Sequence, residues 1–438
     1  MLLQSRILFQ LSARPNVHTC RRYIQMARAA VSGKPRAGPV KSSQYHDVFP
    51  VHEAVLSQIR CDVLVKDTYK GRIVDTKKTC KEPLKGKLNI SNESHSSAAR
   101  QLELLTRQEL INFIQDLACS RSSGEKSDTD LNFLQTVESE CCSRAKTWDS
   151  AALLLVADAF FVMRYRCSRY LSAMFREFEH RWRSLTIGRE DIVQLAMCIV
   201  VGRKFPLLLV SNIEKFVDIN VSEFSAGELS VICFAFFVTN TSFGNVEVME
   251  KLANAVLCSL PGGTLKVYQM VNILKALRHA HFSKLSFYDS LGSLLSSSTA
   301  LRHESTLPDL SNIAFTYASL RISSPTLFAS ISSDAVRLIR NRSHMRVKDV
   351  GRLVWSFSLL REPLDKVVQN QLLYLLRRDV RLMEQFSEAF VEALSGLAMQ
   401  QTYPIDLLQQ LFATKFPNQK HSMVNFAVLH CVVFYNAD

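Results

Sequence analysis

The sequence predicts an all-α fold, an α-solenoid of about six or seven two-helix repeats with a period near 40 residues. Three observations lead there. Glycine and proline are scarce, 14 and 12 among 438 residues, well below the usual levels of about 7% and 5%. Turn-dense sandwiches, barrels and propellers need more of both. Long Leu-, Ala-, Ser- and Phe-rich stretches fill the chain instead. One short pattern then recurs: an acid or Gln followed by apolar residues at helical spacing.

The copies run in order along the chain. Asp149 leads SAALLLVADAFFV, Asp191 leads IVQLAMCIVV and Glu228 leads LSVICFAFFV. Gln269 leads MVNILKALRHA, Asp309 leads LSNIAFTYASL, Asp349 leads VGRLVWSFSLL, and a weaker copy starts at Ala389. Successive starts lie 42, 37, 41, 40, 40 and 40 residues apart. After each first helix comes a short break, such as Ser324-Pro325 or Glu362-Pro363, and then a second amphipathic run such as Leu327, Phe328 and Ile331. The leading acid sits in the first turn, where a carboxylate meets the positive helix end. Thr306 and Ser225, each three residues ahead of its acid, complete a capping box. One such hairpin cannot bury its apolar side alone, but stacked hairpins can. First helices such as 229–238 are apolar nearly all round and belong in the middle layer.

The flanks differ in composition. Residues 1–46 hold Arg6, Arg14, Arg21, Arg22, Arg28, Lys34, Arg36 and Lys41, and no acid precedes Asp47. Arginines spaced among apolar residues, with Ser and Gln, make an expected mitochondrial transit peptide and basic tail, so a matrix location is expected. Without it the net charge falls from +13 to +5. Residues 47–100 read as a polar, basic, partly disordered arm, residues 101–420 as the helical repeat domain, and 421–438 as a C-terminal tail. The longest apolar runs are about ten residues, half of what a membrane span needs. Eleven irregularly spaced cysteines without a C-x-x-C pair fit neither a disulfide framework nor a zinc site. His279 and His281 fall on different faces of a helix. No metal, cofactor or small-molecule substrate is expected.

The two-helix unit, best seen at Asp309-LSNIAFTYASLRISSPTLFASIS and Asp349-VGRLVWSFSLLREPLDKVV, resembles the helical repeats of FAST-kinase-like and RAP-type organellar RNA proteins. It is similar also to the helical repeat subunit of the kinetoplastid RNA-editing substrate-binding complex. The resemblance covers about residues 145–415 and rests on degenerate apolar patterns. No RAP domain is read after the last copy, and no Gly-rich phosphate loop or H-R-D loop is present. The resemblance implies binding of, or scaffolding on, mitochondrial RNA, and no catalytic residues.

Basic residues cluster where helices are expected to end. Arg337, Arg340, Arg342, Arg346, Lys348 and Arg352 are opposed only by Asp349. Arg377, Arg378 and Arg381 follow about one repeat later, and Arg164, Arg166 and Arg169 form a third group. In a solenoid, groups at one phase of the repeat line one edge, a cationic stripe suited to phosphates. Tyr165, Tyr170 and Trp182 are either core residues or platforms for unpaired bases. The same arginines could simply complement helix dipoles. The expected partners are mitochondrial mRNA or rRNA and other proteins of a mitochondrial ribonucleoprotein complex. The alternative is a protein-binding scaffold of the HEAT or armadillo type, whose period overlaps this one.

Overall fold

The structure, a computed structural model, describes residues 49–75, 95–122, 131–341, 345–383 and 386–413. The expected leader, the lysines at 77–87, Arg342 and the expected C-terminal tail lie outside the described residues. The all-α class is borne out: the described residues form helices and no strand. They fall into two compact units, Ser43–Phe282 and Ser283–Asp438.

In the first unit, α1 (Phe49–Ile59) leads into a π-turn at Arg60–Leu64. Then come α2 (His95–Leu104), α3 (Arg107–Ser122), α4 (Leu131–Arg144), α5 (Ser150–Val162) and α6 (Ser168–Arg181). They are followed by α7 (Arg189–Gly202), α8 (Leu207–Asn220), α9 (Ala226–Val238), α10 (Val246–Ser259) and α11 (Val267–His279). Helices α3, α5, α7, α9 and α11 pack side by side as an inner layer, and α2, α4, α6, α8 and α10 as an outer one. In the second unit, α14 (Leu307–Leu320), α16 (Val347–Leu360) and α18 (Ser387–Met399) form the inner layer. The outer helices there are α12 (Leu285–Ser297), which the short α13 (Thr299–Glu304) follows, α15 (Pro325–Arg340) and α17 (Lys366–Arg378), with α19 (Ile405–Ala413) after the last inner helix. Two layers of antiparallel hairpins are a solenoid-like arrangement.

Most inner helices are stitched at their ends. At the start of five of them the third-position side chain reaches back to the capping residue, and on α5 Asp149 is itself the cap, accepting the Ala152 amide at 2.8 Å. Asp191 Oδ2 accepts the Gly188 amide at 2.9 Å, Glu228 Oε2 that of Ser225 at 2.7 Å, and Asp309 Oδ2 that of Thr306 at 3.0 Å. Gln269 plays the same part with its amide oxygen, taking the Lys266 amide at 3.0 Å. Thr106 and Glu109 make an identical box on α3, 40 residues before Asp149. That pair, α3 and α4, is a hairpin ahead of the copies read from the sequence. At the other end, Arg164, Arg203, Asn240, His281, Arg321, Arg361 and Gln401 all have positive φ. Each follows an inner helix and turns the chain, and the next amide commonly closes back on the helix, as Ile322 N does to Tyr317 O at 2.9 Å.

Residues 49–75 depart from the loose arm that their polar, basic composition suggests. Leu56, Ile59, Val63, Leu64, Tyr69 and Val74 are buried, and the polar residues between them meet the inner helices of the first unit. Arg60 donates from Nε and Nη2 to the two oxygens of Asp158 on α5, both at 2.8 Å. The Val74 amide also binds Asp158, at 2.7 Å, and the Val74 carbonyl accepts from Arg60. Arg72 reaches Asp191 at 2.8 Å, and the Tyr69 hydroxyl reaches Glu228 at 2.7 Å. Asp62 accepts from Lys266 at 3.0 Å and from the Tyr268 hydroxyl at 2.5 Å, both at the start of α11. Burial works against the Arg60 charge, and the Asp158 carboxylate more than restores it. These partners lie 84 to 206 residues away in sequence, so no local pattern announces them.

Two expectations on stability follow from this packing. A Cβ at Gly396 on α18 would lie 2.7 Å from the Trp355 amide nitrogen on α16, so Gly396→Ala forces the two helices apart. The change costs about 1–3 kcal/mol, read from urea unfolding. Arg60→Ala leaves Asp158 buried without its cation and costs about 3–5 kcal/mol by the same measurement.

Candidate nucleic-acid interface

Half of the ten described arginines expected to form a cationic stripe, Arg337, Arg346, Arg352, Arg377 and Arg378, are held in ion pairs within the protein. In the first unit, the outer helices α4 and α6 end in an arginine that reaches back to the preceding hairpin. Arg144 donates to the carbonyls of Leu105 at 2.5 Å and Leu102 at 2.9 Å, and pairs with Glu140 one turn earlier. Arg181 donates to Trp148 O at 2.8 Å and pairs with Glu177. Lys251, farther inside α10, takes Asp218 O at 2.8 Å. The second unit repeats the device at Arg337, whose Nη2 donates to Arg302 O at 2.9 Å. Arg337 and Arg302 share the buried carboxylate of Asp334, at 3.4 and 2.8 Å. Helix C-terminal carbonyls lack intrahelical donors, and a guanidinium from the next hairpin satisfies several at once.

The remaining expected residues divide by location. Arg377 on α17 makes a two-point pair with Asp406 on α19, at 2.8 and 3.2 Å, and Arg378 pairs with the adjacent Asp379 at 2.7 Å. Arg340 and Arg381 are exposed, with no ion pair among the described residues. Arg164 is the left-handed residue after α5, and Arg164, Arg166 and Arg169 are all exposed. Tyr170 is fully buried, its hydroxyl on Leu153 O at 2.8 Å, and the Tyr165 hydroxyl holds the buried Glu138 at 2.8 Å. Both side chains serve packing, and Trp182 is half-buried.

One basic group stays together at an open surface. Arg346 caps α16 and grips Asp349 through Nε at 2.7 Å and Nη2 at 3.0 Å. Lys348, two residues on, is exposed. Its amine is held below the ordinary lysine range, by loss of hydration first and then by the Arg352 and Arg346 charges, with Asp349 and Glu392 opposing. A side chain can touch solvent and still lose hydration where protein flanks it on both sides. Arg352 lies over the Phe315 ring, its guanidinium carbon 4.4 Å from the centroid. It also meets Glu392 at 3.5 Å and Asn312 Oδ1 at 3.4 Å. Phe315 in turn packs on Trp355, with ring centroids 5.3 Å apart.

Lys348 and Arg352 stand out in the sequence by charge, whereas Phe315 and Trp355 sit in apolar runs. The signal was available: 348, 352 and 355 are spaced i, i+4, i+7, which puts them on one face of a helix. Phe315 lies 40 residues before Trp355, at the same place in the preceding copy. Among the described residues, no group of three or more His, Cys, Asp or Glu side chains could hold a metal ion, and no helix is long and apolar enough to cross a membrane.

With that geometry in place, known proteins sharpen the picture. The chain is similar to FAST kinase domain-containing protein 5, mitochondrial, of Macaca fascicularis and of Homo sapiens. Each is 22% identical over 336 residues, 76% of this chain and 42% of the relative. The Mus musculus protein of the same name is 22% identical over 326 residues, 73% of this chain and 40% of the relative. These relatives agree with a mitochondrial, FAST-kinase-like chain. The resemblance seen in the repeats therefore holds, and the relatives' names support the mitochondrial location. The chain spans about two-fifths of the length of these curated relatives. No family model matches it.

The contrast between engaged and open arginines is measurable. Arg337→Ala removes a donor from Arg302 O and one of two cations from buried Asp334, and lowers stability by about 1–2 kcal/mol in urea unfolding. Arg340→Ala, at an exposed position without an ion pair among the described residues, stays within about 0.5 kcal/mol of the parent.

Proposed function

We propose that this mitochondrial chain binds RNA without catalysing a reaction on it. It then acts in mitochondrial RNA processing, RNA stability or mitoribosome assembly, within a ribonucleoprotein complex. The observation that carries this reading is the open basic group of α16. Arg346, Lys348 and Arg352 stand within its first two turns, and among the described residues the acids that face them are Asp349 and Glu392, while Arg340 lies exposed at the end of α15. Gathering cations so closely is unfavourable until a polyanion arrives, and a phosphate chain is the polyanion that repays several at once. Mitochondrial relatives with a matching stretch add support.

A protein-contacting role within the same complex has its own observation. Leu207 and Leu208 at the start of α8 are 86% and 65% exposed, and Val246 at the start of α10 is 58% exposed. Apolar residues recurring at the starts of neighbouring outer helices suit a protein partner. Salt distinguishes the two contacts. RNA affinity resting on about three phosphates falls roughly 15-fold between 50 and 200 mM salt, in a filter-binding or anisotropy titration. Reversing Arg340 and Lys348 to Glu flattens that dependence and weakens binding. Affinity that ignores salt, or survives the double reversal, rules out this surface as the RNA contact.

A further inference from the structure

We propose that the shared face of α14 and α16 takes unpaired RNA bases, stacking them on Trp355 and Phe315 while Lys348 and Arg352 hold the flanking phosphates. This rests on the RNA-binding reading and adds the form of the ligand: single-stranded, with no demand for a particular base.

The geometry of the face comes first. On α16, Lys348, Arg352 and Trp355 stand in one row, and on α14 Asn312 and Phe315 stand in the matching row. The two helices pack side by side. Arg352 spans the seam, over the Phe315 ring at 4.4 Å and against Asn312 at 3.4 Å, and the Phe315 and Trp355 rings meet at an interplanar angle of 46°. Phe315, Trp355, Arg352 and Asn312 are all only half-buried. On the same two helices, Ala314, Tyr317, Leu353, Val354 and Phe357 are closed off completely. The helices therefore have ample core without Trp355 and Phe315, and the two rings stay partly exposed beside the cations.

The first unit shows independently what this face of an inner helix does. Its second helical position is Gly227 on α9 and Tyr268 on α11. A Cβ at Gly227 would meet the Gln269 side chain of α11 at 3.2 Å and Val63 Cγ2 at 3.7 Å, and the Tyr268 hydroxyl binds Asp62 at 2.5 Å. Asp62 and Val63 belong to the π-turn of segment 49–75, so there the face receives another part of the chain. The second helical position of α16 is Lys348. The residue aimed at the ligand position is then a cation, and the aromatics lie one and two turns farther along the same row. On α18 the matching positions are Glu388 and Glu392, which close the basic run, so the ligand lies over α14 and α16.

Stacking settles the form of the RNA. An A-form duplex hides its base faces inside the helix, and only splayed bases can lie on a side-chain ring. Each stacked base contributes about 1–3 kcal/mol and every base has a π-face, so selectivity is for strandedness rather than for sequence.

The test uses the full chain, one labelled oligoribonucleotide and the same strand annealed to its complement. The parent protein prefers the single strand. Trp355→Leu weakens single-strand binding about 5- to 100-fold and leaves the salt dependence unchanged, because no charge is removed. Trp355→Phe keeps most of the affinity. Ultraviolet crosslinking of the unaltered protein, with mass spectrometry of the adduct, places RNA on peptides holding Phe315 or Trp355 and does not depend on any variant folding. If the parent binds RNA but Trp355→Leu binds equally well, or crosslinks fall elsewhere, or the duplex binds as tightly as the strand, this inference fails and RNA binding stands. If the parent binds no RNA, both fail together.

Discussion

Helices α5 and α9 are apolar nearly all the way round, and that fixes what every neighbour must do. Within α9 every residue from Ala226 to Phe236 is buried, including Glu228 and Ser230. Such a helix cannot leave its terminal amides and carbonyls to water, because its ends are covered along with its sides. The acid at the third position therefore serves the backbone first. Its second oxygen is then a fixed, buried negative charge, and each one has to be matched. Arg72 matches Asp191, and Tyr69 with Arg189 matches Glu228. Capping, packing and charge pairing are one requirement in this fold, set by how deeply the inner layer lies.

The same requirement explains where the arginines go. An outer helix packed between its neighbours ends beside the final carbonyls of the previous one. A long side chain with a forked donor spans that gap, as Arg144, Arg181 and Arg337 do. Each also keeps an acid one turn back on its own helix, Glu140, Glu177 or Asp334, which holds the guanidinium in place. Clustering of basic residues at helix ends is therefore by itself a poor sign of a phosphate site here. What marks α16 is that three cations, Arg346, Lys348 and Arg352, gather in its first two turns, where a dipole would favour acids, whereas α3, α7 and α11 start with a single one, Arg107, Arg189 or Lys266. Nothing in the fold calls for Lys348 at that place.

The helical class and the inner helices were legible in the sequence because they follow from local patterns. An acid followed by a solid apolar run, as at Asp191 or Glu228, dictates both a helix start and a buried position. The hairpin of α3 and α4 was equally encoded, in Thr106 and Glu109, but α3 is less apolar than its successors and drew less notice. The left-handed turns were not legible, since Arg, Asn, His and Gln occupy places where glycine would be the usual marker. Nor was the seating of residues 49–75. Their charges look like those of a solvated arm until they are set against acids over 80 residues away. The site was half legible: Lys348 and Arg352 stood out by charge, whereas Trp355 and Phe315 sit in apolar runs where ring exposure cannot be read from sequence.

Both units carry acids at the third position of inner helices, Asp191 and Glu228 in the first and Asp309 and Asp349 in the second, and they differ in what meets those acids. In the first, the inner-helix starts carry Asp191 and Glu228, and a basic segment of the chain itself, with Arg60, Arg72 and Tyr69, satisfies the acids of that layer. In the second, the start of α16 carries Arg346 and Lys348, with Arg352 one turn on, and Asp349 is taken up by Arg346. A buried acid requires a permanent partner, because an unmatched carboxylate in the core destabilises the fold. Partly exposed cations carry a smaller penalty, because water and salt offset much of their mutual repulsion. The first surface is thus built to stay filled, and the second is able to wait. That difference in desolvation, rather than the total count of basic residues, is the reason for assigning the proposed ligand to the second unit.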